Sequence, residues 1–403
     1  MHERPDGIVL RGAREDDLDQ ILELTAARGG PEDLPEARAA FTHDEGHSQF
    51  YVAYDGDRLA SVLTLWQEHI RLGSTRLPAG QMDFVATATD YEHRGLVRDL
   101  VGIVHEVSAE RGDVLQFLVG IPYFYRQFDY RYVLPMPGHY TVRPDARINA
   151  PAEITVRLAT RADLDTLKSL QDRAQAGAGV AMGHSETTWE WMFSSETVRV
   201  LLAEREGQAI GSARLAPDDD DEFCALSEVA TSEVGAVHAF VANVRGSSGK
   251  KTVQVTERAD EVVQKALAGL AEHAASEEDF LLRVHDPVKL LEAMRSELSA
   301  RLASSPFAHE KGELLISFYN SSANLTYDNG AIESVVKGPS MQAPVHYGGS
   351  GVPPDLVADL VFGPHGAEAL DERHSDLNLG RRQGLMSVLF PAQSSDILTF
   401  YLG

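Results

Sequence analysis

Cysteine is almost absent from this sequence, whose 403 residues contain a single one, Cys224. One cysteine cannot form a disulfide within the chain or a cysteine-cluster metal site, and such a low content suits a reducing compartment. The N-terminus, MHERPDGIVL, also lacks the apolar run of a secretory signal. We therefore expect a cytoplasmic protein.

Long apolar stretches and basic side chains are scarce as well. No stretch approaches the roughly 20 apolar residues that span a bilayer, so we expect no membrane span. The 36 basic residues stand against 61 acidic ones, which gives a formal net charge of -25. A field of this sign repels polyanions and attracts cations, although acidity also serves solubility. The charge argues against nucleic acid as a partner and favours a cationic substrate.

One segment resembles a metal motif in part. HDEGH at 43–47 places two histidines four residues apart, as in a zinc-binding helix. Gly46 and the position of the glutamate depart from that motif and favour a solvated loop. We expect no bound metal.

The chain contains an internal repeat. VLRGAREDDLDQIL at 9–22 matches TVRLATRADLDTLK at 155–168, each a short strand, a basic link and Asp-Leu-Asp opening a helix. The match continues from FYVAYDGDRLASVLTL at 50–65 to VLLAEREGQAIGSARL at 200–215, each two strands around a polar turn. Two related domains are the economical interpretation.

A third region follows the repeat. Asp286 is suited to cap a helix that begins with Pro287. Further on, Asn329-Gly330 predicts a type I′ hairpin turn. With a break near 148–153, the sequence divides into three predicted domains: 1–150, 151–285 and 286–403.

Basic character concentrates at a predicted strand-to-helix turn. QMDFVATAT at 81–89 reads as a strand, and apolar residues at helical spacing follow Gly95. Arg111-Gly112 is suited to end that helix, and VLQFLV at 114–119 reads as a buried parallel strand. The unpaired N–H groups at such a helix start bind anions, typically a pyrophosphate. Three side chains add charge at its rim: His93, Arg94 and Arg98.

The order of these segments resembles a known superfamily. FVATATDYEHRGLVRDL (84–100) followed by VLQFLVGIPYFYRQFDYRY (114–132) is similar to the GCN5-related N-acetyltransferases (GNAT), whose pyrophosphate loop reads Gln/Arg-x-x-Gly-x-Gly/Ala. YRQFDYRY resembles the Tyr-x-x-Phe-Gly-Tyr segment of the enhanced intracellular survival (Eis) branch. Two residues depart from the loop pattern, Glu92 and Val97, and Glu92 would weaken phosphate binding if it pointed inward.

The resemblance implies an architecture for the whole chain. Eis-like proteins have an active GNAT domain, a second GNAT domain without a cofactor site and a domain like sterol carrier protein. VPPDLVADLVFGPHGAEAL (352–370) and LMSVLFP (385–391) look like that last domain. The expected fold class is therefore α/β (α+β), with tandem GNAT-like domains and a sterol-carrier-protein-like C-terminal domain. The resemblance also implies a homo-oligomer, a hexamer.

The resemblance assigns site residues by position. Acetyl-CoA would be the co-substrate, and Phe84 would line the acceptor site. The predicted cofactor-binding residues are Val85, Ala86, Thr87, His93, Arg94, Gly95, Leu96, Val97, Arg98, Gly120 and Ile121.

Two catalytic groups are also implied. Tyr125 aligns with the proton donor of the family, and a phenol with a pKa near 10 suits that role; Tyr123 and Tyr130 are its rivals. The proton acceptor would be the C-terminal carboxylate, here Gly403, in place of the aromatic end usual in the family. The alternative for this segment is a frayed tail without a catalytic role.

The predicted function is acetyl-CoA-dependent N-acetylation of a primary amine. The acidic chain favours a cationic acceptor, such as an aminoglycoside or a basic peptide. The alternative is a catalytically silent GNAT scaffold that binds coenzyme A and an apolar ligand or partner.

Overall fold

The computed structural model describes residues 2–30, 34–43, 46–195, 198–215, 223–248 and 252–398. Within these ranges the strands form three sheets, of ten, seven and four strands, with helices packed against them. The fold is thus mixed α/β, as the sequence predicts. No helix in these ranges is long and apolar enough to cross a lipid bilayer.

The first part of the chain builds most of the ten-stranded sheet. Its strands are β1 (His2–Glu3), β2 (Val9–Gly12), β3 (Phe50–Asp55), β4 (Arg58–Leu72), β5 (Thr75–Thr87), β6 (Leu115–Leu118) and β7 (Arg131–Pro135). Its helices are α1 (Leu18–Arg28), α2 (Leu34–Thr42) and α3 (Leu96–Arg111). β5 and β6 pair in parallel across the α3 crossover, as the strand–helix–strand pattern predicts.

The middle of the chain builds the seven-stranded sheet. Its strands are β8 (His139–Val142), β9 (Ile154–Leu158), β10 (Val180–Met182), β11 (Arg199–Arg205), β12 (Gln208–Leu215), β13 (Phe223–Thr231), β14 (Thr252–Thr256), β15 (Ala271–Ala274) and β16 (Asp279–Val284), of which β10 and β16 join the first sheet. Its helices are α4 (Leu164–Ala174), α5 (Glu186–Ser194), α6 (Val234–Ser248) and α7 (Val262–Leu267).

The last part combines a four-stranded sheet with short helices. Its elements are α8 (Pro287–Ala293), α9 (Arg295–Ala303), β17 (Lys311–Ser317), β18 (Ser322–Asp328), β19 (Ala331–Gly338), β20 (Ser350–Gly351), α10 (Val357–Phe362), α11 (Gly366–Arg373), α12 (Gln383–Leu389) and β21 (Ser395–Ile397). The Asp286 carboxylate accepts hydrogen bonds from the first N–H groups of α8. Asn329 and Gly330 both have positive φ, 47° and 80°, so the predicted cap and hairpin turn are confirmed.

The internal repeat has the same ion pair in each copy. Arg11 donates to both carboxylate oxygens of Asp17, at 2.6 and 2.8 Å. Arg157 donates to both oxygens of Asp163, at 2.8 Å each. In each copy the aspartate also accepts a backbone N–H three residues earlier, so it joins the strand to the helix that follows. The repeated sequence therefore encodes a repeated local structure.

The two larger sheets exchange strands. β8 lies between β15 and β14 in the second sheet, although it comes before residue 150. β16 lies between β6 and β7 in the first sheet, although it follows the second domain in the sequence. A linear division at 150 and 285 therefore assigns each of these strands to the sheet that it does not join. The exchange ties the first two parts of the chain together.

The C-terminal strand returns to the first sheet. β21 pairs in parallel with β10, and β10 pairs with the end of β4. The backbone N–H of Leu398 donates to the carbonyl of Met182 at 2.9 Å. The last described residues therefore lie beside β10, which in turn pairs with β4 of the first part of the chain.

Candidate active site

An opening between β5 and β6 forms the centre of the candidate site. The two strands pair from Ala79 opposite Leu115 to Gln81 opposite Phe117. Beyond that point β6 ends at Leu118, whereas β5 continues to Thr87. Among the described residues no strand pairs with this outer edge of β5, so its backbone groups can bind a ligand.

A β-bulge sets the direction of these backbone groups. Phe84 has a φ of 46°, and the pairing of β5 with β4 shifts register at this point. Ala88 donates its N–H to the Ala60 carbonyl of β4 at 2.9 Å. Because backbone groups alternate along a strand, the N–H groups of Val85 and Thr87 point away from β4, into the opening.

The start of α3 faces the same opening. Gly95 has a φ of 81° and immediately precedes the helix. The first intrahelical bond runs from the N–H of Asp99 to the Gly95 carbonyl, at 3.1 Å. The N–H groups of the three residues between them therefore have no partner within the helix. These N–H groups and the positive end of the helix dipole can together bind an anion.

A cavity of about 750 Å³ joins the edge of β5 to the start of α3. We call it the first cavity. Of the predicted cofactor and catalytic residues, those that line it are Val85, Ala86, Thr87, His93, Gly95, Leu96, Val97, Arg98, Ile121 and Tyr125. The sequence pattern thus brought these residues to one place, because each belongs to the strand–helix–strand unit or to the turn after β6.

Two of the predicted cofactor-binding residues do not line the first cavity. The Arg94 guanidinium contacts Asp6 at 3.3 Å and lies over the Tyr91 ring, 4.8 Å from its centroid. Gly120 lies beneath the ring of Tyr125, where it leaves room for the aromatic side chain. Arg94 therefore binds the N-terminal segment through Asp6. Gly120 affects the first cavity by leaving space for the ring of Tyr125.

Sequence reasoning missed one charged residue of the first cavity. Arg28, at the end of α1, lines the cavity, and its Nη2 contacts Glu92 Oε1 at 2.7 Å. It also donates to Thr89 Oγ1 at 3.2 Å. Both members of the pair are about one-third exposed, at 40% and 34%. Glu92, which departs from the family loop, is therefore balanced by an arginine far away in sequence.

Tyr125 is held in the wall of the first cavity. It is 6% exposed, and its ring makes an edge contact with Phe124 at 5.1 Å. Burial raises the pKa of Tyr125, and the nearby Asp83 carboxylate raises it further. The pKa is thus above the ordinary value assumed from the sequence, and the hydroxyl keeps its proton at neutral pH. Among the described residues, none makes a hydrogen bond to this hydroxyl.

The two rival tyrosines are placed differently. Tyr130 is fully buried, and its hydroxyl bonds to Gln116 Oε1 at 3.0 Å and to His105 Nε2 at 3.2 Å. Tyr123 is 76% exposed and packs against Arg126. Neither lines the first cavity, so the geometry favours Tyr125.

A second cavity of about 330 Å³ lies nearer the start of β5. We call it the second cavity. It is bounded by α2, the middle of β4, Gln81 of β5, residues 182–191 of the second domain and Leu398. Gln81 lines the second cavity and Val85 lines the first, four positions or about 13 Å apart along a strand. The two cavities therefore open on either side of the β5 bulge.

Aromatic side chains form the wall near the bulge. Phe84 stacks on Phe50, with ring centroids 6.1 Å apart, and Phe50 contacts Trp66 edge-on at 5.6 Å. Trp66 lines the second cavity, whereas Phe84 lies behind it in the same cluster. The substrate-binding role of Phe84 stays a prediction.

The second cavity contains a carboxyl group with an altered pKa. Burial raises the pKa of Glu68 to about 7, against the opposing charges of Arg76 and Arg111. Burial also lowers the pKa of the adjacent His69, so this imidazole is neutral near pH 7. Glu68 can therefore change its charge near neutral pH. The predicted catalytic carboxylate of Gly403 lies outside the described residues.

Comparison with known proteins identifies the first domain. Residues 9–133 match the family model of the Acetyltransferase (GNAT) domain. The match covers the strands, α3 and the turn that build the first cavity. It confirms an acetyltransferase domain and supports the prediction that the chain is an N-acetyltransferase. No curated protein matches the sequence.

Solved structures resemble the chain along nearly its full length. A GCN5-related N-acetyltransferase from Kribbella flavida is 18% identical, with 98% of each chain covered and a TM-score of 0.69. One from Anabaena variabilis is 15% identical over 97% of this chain and 99% of its own, with a TM-score of 0.71. Eis1 from Mycobacterium abscessus is 14% identical over 96% and 98%, with a TM-score of 0.61. At such identities the likeness shows the fold alone.

Proposed function

We propose that the protein transfers the acetyl group of acetyl-CoA to a primary amine of a cationic acceptor. One observation carries the proposal: a single cavity joins the open edge of β5, the free N–H groups at the start of α3 and the buried hydroxyl of Tyr125. When bound, acetyl-CoA would supply an activated acyl group as a thioester. GNAT acetyltransferase domains such as the one matched here use this co-substrate.

The residues of the first cavity fit that co-substrate. The N–H groups of Leu96, Val97 and Arg98 would bind a pyrophosphate, and Arg98 and Arg28 line the same wall. The outward-facing backbone of Val85 and Thr87 would pair with an extended amide chain. The Val85 N–H would also hold a carbonyl oxygen on which negative charge develops.

Two protein groups would move protons. Tyr125 Oη would donate a proton to the leaving sulfur. For the acceptor side we retain the carboxylate of Gly403 as the predicted base. In support, Leu398 lines the second cavity, and the five residues that follow it could extend roughly 17 Å.

We assign the second cavity to the acceptor. Its position across the β5 bulge from the first cavity supports this assignment, as do Glu68 in its wall and the net charge of -25. The Glu68 carboxyl and the negative net charge both favour a polycation as the acceptor, such as an aminoglycoside or a basic peptide.

A thiol-release assay tests the function. Acetyl-CoA is incubated with the protein and a panel of spermine, an aminoglycoside, a lysine-rich peptide and a neutral amine, and free coenzyme A thiol is measured. We expect release with the cationic acceptors in preference to the neutral amine. Coenzyme A binding without turnover on any amine would instead favour the silent scaffold, which binds coenzyme A and an apolar ligand or partner.

Glu68→Gln should remove a pH dependence of acceptor affinity. Because the pKa of Glu68 is about 7, its carboxyl is mostly neutral at pH 6 and mostly charged at pH 8. Over this range the acceptor KM of the wild type should fall about 3- to 10-fold relative to that of the variant at the same pH.

Comparing the two proteins at each pH cancels the titration of the amine itself. Glu23→Gln, at an exposed position on α1, makes the same change in net charge and should follow the wild type. Parallel KM profiles for wild type and Glu68→Gln would contradict the role of this carboxyl.

Glu92→Gln should tighten coenzyme A binding. The substitution removes a negative charge from the wall of the first cavity and frees Arg28 from its ion pair. At low ionic strength we expect the dissociation constant to fall about 3- to 10-fold, an effect that salt should reduce. Titration calorimetry at two salt concentrations measures both effects, with Glu106→Gln on the exposed face of α3 as the control. Unchanged binding at low salt would show that Glu92 does not oppose the ligand.

Further features follow from the family resemblance and stay proposals. We propose that the chain belongs to the Eis branch, that its last domain is like sterol carrier protein, and that it forms a cytoplasmic hexamer. The likeness in fold to Eis1 over nearly the whole chain supports the first of these.

A further inference from the structure

The second domain repeats the β-bulge of the first. In β4 and β5 the pairing moves from Val62 opposite Ala86 to Thr64 opposite Asp83. In β12 and β13 it moves from Ser212 opposite Ala230 to Arg214 opposite Ser227. The bulged residues, Phe84 and Glu228, both have positive φ, 46° and 54°. By this register, Val229 takes the place in the second domain that Val85 has in the first.

The second domain also repeats the opening between strands. β13 and β14 pair in parallel as far as Leu226 opposite Val255, and beyond that pair β13 continues beside β12 to Thr231. The pair of Ala225 and Gln254 corresponds to that of Gln81 and Phe117 in the first domain. Arg258 stands four residues after Gln254 of β14. Ile121 stands four residues after Phe117 of β6. Ile121 lines the first cavity, so Arg258 stands at the matching place.

The side chain of Arg258 lies in this second opening, in the wall of a cavity of about 440 Å³. Its Nη1 donates to the Val229 carbonyl at 3.2 Å and to Gln171 Oε1 at 3.0 Å. Gln171 in turn donates to the Glu228 carbonyl at 2.8 Å. The carbonyl of Val229, the counterpart of Val85 in the first cavity, is thus bonded to a side chain of the second domain itself.

The same guanidinium holds the C-terminal strand. Arg258 Nε donates to Asp396 Oδ2 of β21 at 2.8 Å, and both side chains are 3% exposed. Gln175 adds bonds to the Asp396 carbonyl at 3.0 Å and to its Oδ1 at 3.2 Å. Glu228, another carboxylate that interacts with Arg258, is paired with Arg214 and His184. Removing one member of a buried ion pair leaves the other uncompensated, so loss of Arg258 should destabilise the packing of β21.

The residue that follows this strand lines the second cavity. Asp396 is two residues before Leu398, which lines that cavity and donates its N–H to Met182. We propose that Arg258, set in the opening of the second domain that matches the cofactor opening of the first, is a positioning residue for the acceptor cavity. It acts by anchoring β21 through Asp396. The proposal rests on the assignment of the second cavity to the acceptor.

Arg258→Met and Arg258→Lys test the proposal, with Asp396→Asn as a further variant. Lysine keeps the charge, but its single nitrogen cannot span Asp396, Val229 and Gln171 at once. The control is Arg157→Met. It removes another arginine of the second domain with two acidic partners, Asp163 and Glu204, that does not touch β21.

Three measurements are made on each full-length variant. Amide hydrogen exchange of residues 395–398, followed by mass spectrometry, reports on the anchoring of β21. The kcat/KM for a cationic amine reports on the acceptor cavity. The dissociation constant of coenzyme A reports on the first cavity.

For Arg258→Met we expect exchange at 395–398 to accelerate and kcat/KM for the amine to fall about 10- to 100-fold. Coenzyme A affinity should stay at the wild-type value. Arg258→Lys and Asp396→Asn should change exchange and kcat/KM in the same direction and less strongly, and Arg157→Met should change neither. This split between acceptor and coenzyme A would not follow from a general loss of stability.

Two outcomes separate this proposal from the proposed function. If exchange at 395–398 stays at the wild-type rate in all three variants, Arg258 does not anchor β21 and the proposal is wrong. If exchange accelerates while kcat/KM for the amine is unchanged, the anchor is real but the second cavity does not hold the acceptor, which overturns both the positioning role and that assignment. If the wild type transfers no acetyl group, the proposed function fails on its own, and the exchange data still test the anchor.

Discussion

Tyr125→Phe is expected to lower kcat about 10²- to 10⁴-fold, the range for loss of a positioned proton donor. The substitution removes only the hydroxyl from a side chain that is 6% exposed, so the packing against Phe124 and Gly120 should be retained. Coenzyme A affinity and thermal stability should stay close to those of the wild type. Steady-state kinetics with saturating acetyl-CoA measure kcat. Titration calorimetry measures the affinity for coenzyme A, and a thermal melt measures the stability.

The rival tyrosines supply matched controls for this prediction. Tyr130→Phe removes a hydroxyl that bonds to Gln116 and His105 in the core, so it should cost stability, about 1 to 3 kcal/mol, and leave kcat largely intact. Tyr123→Phe changes an exposed side chain and should affect neither. Wild-type kcat in Tyr125→Phe, or a large loss in either rival, would reject Tyr125 as the donor.

Gly120→Ala is expected to reduce kcat by about 100-fold through displacement of Tyr125. A methyl group at Gly120 would overlap Cε2 of the tyrosine ring and lie 2.6 Å from Cδ2, and Leu118 confines the methyl group on another side. The aromatic ring must therefore move, and the hydroxyl with it. We expect a loss of stability of about 1 to 3 kcal/mol as well, as for other overpacked cores.

Gly102→Ala is the matched control for this substitution. A methyl group at Gly102 meets nothing within 4 Å, and the residue lies within α3. Alanine is a better helix former than glycine, so this variant should be as stable as the wild type or more so, with unchanged kcat. In combination, Gly120→Ala and Tyr125→Phe should be little worse than Tyr125→Phe alone, because both act on one hydroxyl. Additive losses would show that Gly120 acts by another route.

Much of the first cavity could be predicted because its residues lie close together in sequence. The edge of β5, the turn at Gly95 and the start of α3 fall within residues 85–98, and they line one wall. Local patterns decide such a unit: strand residues, then a left-handed glycine, then apolar residues at helical spacing. Tyr125 follows β6 by a short turn, so its position could be inferred by the same means.

The errors and omissions arise where distant segments meet. Arg94 has the charge and position of a phosphate ligand, yet its guanidinium contacts Asp6 of the N-terminal segment. Arg28 was missed because it stands 64 positions before Glu92 in the sequence. The residues around Arg28 and those around Glu92 form no pattern that indicates an ion pair between the two. The exchange of β8 and β16 was missed for a related reason. A strand pattern shows which face is buried but not which sheet the strand will join.

The sequence alone determined the elements whose causes are local. These are the repeated arginine–aspartate link, the glycine that starts α3, the Asn329-Gly330 turn and the order of the strand–helix–strand unit. In each of them the interacting groups are a few residues apart, so the residue types are sufficient to specify the geometry.

Only the tertiary structure decided how the second cavity and the ion pair of Arg258 and Asp396 are assembled. Arg258 and Asp396 are 138 residues apart, and they meet because β21 returns to pair with β10 beside the second domain. In sequence, Arg258 is an ordinary basic residue after a strand. Its proposed role depends on burial. Both side chains of the ion pair are 3% exposed, so removing either partner would leave a buried charge uncompensated.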